Sequence, residues 1–128
     1  MAADPAFAST PRHSAASVSA TADTSRTSIT TSVDVFTAGS SGSKIESIVF
    51  EGTGSTLAGV VVIWIYDGST NHVLYEEAVT VVAASTTVAA YRTERTFDNL
   101  FLPSGYKLKA TSQVANQLIK VHAFGGDF

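Results

Sequence analysis

From residue 26 onward the chain is written in a strand-and-turn rhythm, and that rhythm excludes most architectures. Short β-branched and aromatic runs occupy 28–36 (SITTSVDVF), 44–51 (KIESIVFE), 59–67 (GVVVIWIYD), 72–82, 87–97, 100–102, 106–112 (YKLKATS) and 118–124. Turn phrases separate them: AGSSGS at 38–43, GTGST at 52–56, Gly68-Ser69-Thr70-Asn71 and Pro103-Ser104-Gly105. No stretch carries helical periodicity with caps at its ends. Ser and Thr together make up a quarter of the chain, and only 15% of it is charged. That composition is poor in the residues that favour helix. The pattern predicts an all-β fold over residues 26–128: an antiparallel β-sandwich or jelly roll of about seven to eight strands.

Residues 1–25 read differently. They are almost all Ala, Ser, Thr and Pro with a few charges, and their bulky apolar residues are Met1, Phe7 and Val18. Such a segment buries too little surface to offset the roughly 1–2 kcal/mol that ordering each residue's backbone costs. It is expected to be unfolded alone: either a free tail or an extended N-terminal arm that orders on a partner. Phe7, Pro11, Arg12, Val18 and Arg26 are its candidate contacts. MAADPAFAST has an acid where a signal peptide carries bases, and it has no apolar h-region, so synthesis in the cytoplasm is expected. The longest uncharged apolar run, 57–66, is half the length of a membrane helix, and no membrane partner is expected.

The run 59–66 is apolar on both faces. Val60, Val62, Trp64 and Tyr66 alternate with Val61, Ile63 and Ile65. A sandwich strand normally turns one face to water, so this one needs a second cover. The cover is a second layer of the same chain, the N-terminal arm, or another subunit. On the last alternative Val61, Ile63 and Ile65 are candidate homo-oligomer contacts, with Phe128 a further exposed aromatic.

Little in the chain points to catalysis. A net charge of −3 without a basic run gives no footprint for nucleic acid, and the absence of cysteine removes thiol chemistry and Cys-bound zinc. His13, His72 and His122 have no metal-ligand spacing, and there is no nucleophile elbow or P-loop. Glu76 and Glu77 are adjacent, so on a strand they face opposite ways. Asp67-Gly68-Ser69-Thr70-Asn71 superficially resembles a calcium loop but lacks its alternating acids, and is expected to be a hairpin turn in which Asp67 or Asn71 bonds the backbone. No catalytic residue, cofactor or metal is expected. Trp64, Tyr66, Tyr75, Tyr91, Tyr106, Phe97 and Phe101 could build a sugar platform, although Trp64 sits in the most apolar run and is expected in the core.

Four phrases carry a resemblance: GSKIESIVFEGTG, AGVVVIWIYDGS, LPSGYKLKATSQ and the terminal VHAFGGDF. In that order they resemble a family of small structural proteins of tailed bacteriophages, over roughly residues 26–128. The resemblance implies a virion protein of the head decoration or cement type, made in the host cytoplasm and bound to the capsid surface. It implies the major capsid protein as partner, a homo-oligomer, commonly a trimer, and no catalysis. Virion-displayed carbohydrate binding, or another minor head or tail role, is the alternative expectation.

Overall fold

The computed structural model describes residues 10–128. Eight strands follow one another: β1 (Thr10–Ser17), β2 (Val33–Thr37), β3 (Ser43–Gly52), β4 (Gly59–Tyr66), β5 (Asn71–Val79), β6 (Arg92–Leu102), β7 (Lys107–Ser112) and β8 (Ile119–Asp127). They form two four-stranded sheets, ordered β1-β8-β3-β6 and β2-β7-β4-β5, and every pairing is antiparallel. The expected all-β sandwich is therefore what the chain builds. The pairs β1–β8, β2–β7, β3–β6 and β4–β5 are successive rungs of one long ribbon, doubled at the β4–β5 turn and wound into two layers.

Alternation decides what fills the gap between the layers. Ile48, Phe50, Val121 and Ala123 of the first sheet meet Phe36, Val61, Ile63, Leu108 and Ala110 of the second, all essentially without exposure. The sides of the sandwich are closed differently. On one, Arg95 of β6 binds Glu77 of β5 through two bonds of 2.7 and 3.1 Å, and the Tyr75 hydroxyl donates to the same carboxylate. On the other, the Arg12 guanidinium lies 4.2 Å from the Phe36 ring centre and donates to the Thr37 carbonyl.

Two expectations are corrected. First, residues 10–25 are not a free arm. Thr10–Ser17 is a full strand of the first sheet, in register with β8 from Thr10↔Asp127 to Ser17↔Lys120. The open edge of β8 supplies the backbone partners that a small-residue segment needs, and Ala16 and Val18 reach the core. Second, the expected strands 87–97 and 100–102 are one strand, β6, which begins only at Arg92. The expected strand at 28–36 also starts late, at Val33. Its first residues belong to a turn organised by Asp23, whose carboxylate accepts from the N–H groups of Ser25, Thr30 and Thr31.

The two-faced strand β4 is covered within the chain. Val61 and Ile63 face the opposite sheet and are fully buried, and Ile65 packs on the same core. On the outer face Val62 and Trp64 are also fully buried, and the Trp64 indole N–H donates to Thr111 Oγ1 at 2.9 Å. The connection from β1 to β2 is pinned along this face. Asp23 N–H bonds the Ser112 carbonyl, and Arg26 grips Glu76, the register partner of Val62. Val61 and Ile63 are thus core residues with no surface to offer another subunit.

Asp23 gives this cover an acid sensitivity. Burial alone would raise its pKa, but the bonds from Thr31, Thr30 and Ser25 outweigh burial and hold it below the ordinary carboxylate value. A carboxylate lowered in the folded state contributes stability that is complete above the unfolded pKa, about 3.9, and is lost as pH falls through the folded value. Asp23→Ala is expected to lower stability by about 1 kcal/mol at neutral pH, because three backbone N–H groups, only partly shielded from water, lose their common acceptor. Chemical denaturation across pH checks it: the variant should show a shallower loss of stability on the acid limb than the parent.

Candidate functional site

The candidate contact residues fall in separate places. Phe7 lies outside the described residues. Val18 is buried, Arg26 is bound to Glu76, and Val61, Ile63 and Ile65 belong to the core just described. Pro11, Arg12 and Phe128 all lie at the end of the sandwich where β1 begins and β8 ends. Pro11 is exposed opposite Gly126, and the Phe128 ring stacks on the exposed Phe101, 6.0 Å between centres. Arg12 donates to Asp127 Oδ1 at 2.9 Å.

Asp127 organises this corner. It accepts 2.6 Å from the Ser43 hydroxyl as well as from Arg12, and these two bonds, Ser43 first, hold its carboxyl below the usual range. Ser43 Oγ in turn accepts from the Gly39 N–H. The carboxylate therefore joins β1, β3, β8 and the 38–42 turn. The corner offers two stacked phenyl rings beside a neutralised ion pair, an arrangement suited to docking and without a group poised for proton transfer.

A second cluster lies on the outer face of the first sheet. His122 Nε2 is 2.9 Å from Glu51 Oε1, and His122 Nδ1 is 2.8 Å from His13 Nε2. The His13 ring stacks on Phe124 at 4.7 Å. The bond from His122 lowers the pKa of Glu51. Val49, Glu51, Arg92, His122 and Phe124 line a shallow depression of about 200 Å³ here. The three side chains form one hydrogen-bonded chain, but among the described residues no hydroxyl is hydrogen-bonded to either imidazole, so they assemble no activated nucleophile. Among the described residues no group of three or more His, Asp or Glu is placed to hold a metal ion. The sequence hides this cluster because His13 and His122 meet only through the β1–β8 pairing; a shared outward register of Lys120 and His122 is the one visible hint.

The other expected features are placed plainly. Asp67 caps its own turn, accepting from the N–H groups of Ser69 and Thr70 around Gly68 at φ 96°, which is the hairpin expected of the 67–71 segment. The aromatic platform is not assembled: Trp64 is buried, Tyr75, Tyr91, Tyr106 and Phe97 pack against the core, and Phe101 alone of the seven is exposed. No helix among the described residues is long and apolar enough to cross a membrane.

No protein-family model matches the chain, and no curated protein matches it. Among solved structures, similarity extends to a pentameric capsid protein isolated from metagenomic phage sequences, 15% identical, with a TM-score of 0.43. The alignment covers 90% of this chain and 60% of that one, so this chain spans about three-fifths of its length. A second pentameric capsid protein from metagenomic phage sequences, solved by iodide phasing, is 17% identical over 80% of this chain and 72% of that one, with a TM-score of 0.37. Likeness at this level carries no functional argument.

Proposed function

We propose that the chain is a non-catalytic structural protein of a phage head, a decoration (cement) protein that binds the outer surface of the capsid lattice through the major capsid protein. The observation that supports this reading most is where the four family-like phrases fall in the fold. GSKIESIVFEGTG and VHAFGGDF form β3 and β8, paired at the centre of one sheet; AGVVVIWIYDGS and LPSGYKLKATSQ form β4 and β7, paired at the centre of the other. Phrases spread over residues 42–128 are thus neighbours in one double-layered unit, which supports reading them together as parts of one domain. The ribbon winding, β1-β8-β3-β6 over β2-β7-β4-β5, supports reading the sandwich as a jelly roll, an architecture shared by viral capsid domains and lectins. That second support is analogy at the level of the fold.

Capsid contact is assigned to the end of the sandwich that carries Pro11 and the Phe101–Phe128 pair, together with residues 1–9, which precede β1 in the sequence. The expected trimer draws nothing from β4, whose two faces are covered by its own chain. Removing residues 1–25 would take β1 with it, so the test deletes residues 1–9 and leaves Thr10 in place. Full-length protein is expected to co-sediment saturably with heads of the phage that encodes it, and the truncated chain to bind at least about tenfold more weakly with an unchanged melting curve. Equal binding by the two forms would refute the anchoring role; no binding by either would refute the capsid reading.

A further inference from the structure

The two ends of the sandwich differ in charge. The end formed by residues 18–22, 53–58, 80–90 and 113–118 contains no Asp, Glu, Lys, Arg or His. These four connections form a single surface. Asn116 N–H bonds the Ala20 carbonyl, Thr53 N–H bonds the Leu118 carbonyl, Thr56 bridges to Val82, and the Gln117 amide bonds both backbone groups of Leu57. From this surface project Val81 (66% exposed), Val88 (47%), Leu118 (46%) and Leu57 (45%), the majority of the large exposed apolar side chains among the described residues. Of the three exposed apolar groups elsewhere, Val73 stands alone on β5 and the two phenyl rings have charged neighbours: Lys44 lies beside Phe101, and Glu51 and Arg92 lie beside Phe124.

We propose that this uncharged end is a self-association face that docks on the same end of a second copy of the chain. Three observations select that partner. The chain carries a net charge of −3, and every charged residue among the described ones lies outside these four connections, so two copies that meet through these ends approach with little repulsion and desolvate no charge. The connections bring about two dozen surface residues together, the number one side of a standard interface uses. Val, Thr, Ser and Ala dominate them, and such short side chains lose little rotamer freedom when buried. The inference does not depend on the phage reading.

Sedimentation of the full chain over a range of concentrations is the test, with Val81→Glu/Val88→Glu and Val81→Lys/Val88→Lys as variants. Both positions are exposed, so each variant should keep the parent's circular dichroism and melting curve. The parent is expected to show a monomer–dimer equilibrium that high salt does not weaken. Each variant, whatever its sign, should bind itself at least about a hundredfold more weakly, as unpaired charge buried in an interface requires. A parent that stays monomeric up to about 1 mM, or variants that associate as tightly as the parent, would overturn the proposal. So would a monomeric parent that binds phosphatidylcholine vesicles while the variants do not, since that assigns the face to a lipid surface.

Discussion

Trp64→Ala is expected to destabilise the protein by about 3–5 kcal/mol, the cost typical of deleting a large buried aromatic. Trp64 is fully buried on the outer face of β4, and its indole N–H has Thr111 as partner. Truncation opens a cavity beneath the β1–β2 connection and leaves the buried Thr111 hydroxyl without its donor. Because the cover is intramolecular, the loss should appear in urea unfolding of a single folded chain and should be independent of protein concentration. A concentration-dependent loss would mean that a second subunit provides the cover. Trp64→Phe restores most of the volume but not the donor, and should fall between the parent and Ala. Trp64 is the chain's one tryptophan, so its fluorescence reports the parent transition directly, and circular dichroism follows the variants.

Gly125→Ala is expected to be comparably severe, about 3 kcal/mol or more, because the added Cβ would run into the Lys44 backbone carbonyl. Gly125 lies where β3 is irregular: its pairing with both β6 and β8 shifts between Ile45 and Ser47. The backbones approach so closely there that no side chain fits, and the obstacle is backbone, not a movable side-chain tip. Gly68→Ala makes a useful contrast: its Cβ would meet open space, so only the strain of its positive φ is felt. Thermal melts of the two variants should rank Gly125→Ala well below Gly68→Ala. The reverse order would show that the β3–β8 approach relaxes at little cost.

The same features mark how far the sequence could be read. The strands β3, β4, β5, β7 and β8 declare themselves because alternation and β-branching are properties of the strand alone. β4 also announces that it is covered on both faces, but a single strand does not say by what. The answer depends on Asp23, Arg26 and Ser112 meeting across the fold. β1 is the opposite case. TPRHSAAS has almost no strand signature, and it is a strand because the edge of β8 offers it hydrogen bonds. Missing that pairing concealed the Glu51–His122–His13 cluster and the Arg12–Asp127 link together. The turn at 67–71 was legible because an Asx turn is local chemistry.

The doubled ribbon also sets a timetable for a chain made from its N-terminus. Only β4 and β5 are neighbours in sequence and partners in the sheet. Every other rung joins an early strand to a late one, and Arg12 and Asp127 stand 115 residues apart. β1 is the first strand to leave the ribosome and the last to receive a partner, since β8 completes the domain. Until then β1 waits with its backbone groups in water, although β3 and β2 have already met β6 and β7, and the loop that must close around the β1–β8 rung is the longest among the eight strands. Folding of this domain therefore waits for β8 to emerge, in the slow regime of non-local β pairing. A nascent chain halted before β8 has only the β3–β6 pair of its first sheet, with β1 left unpaired, however complete its second sheet already is.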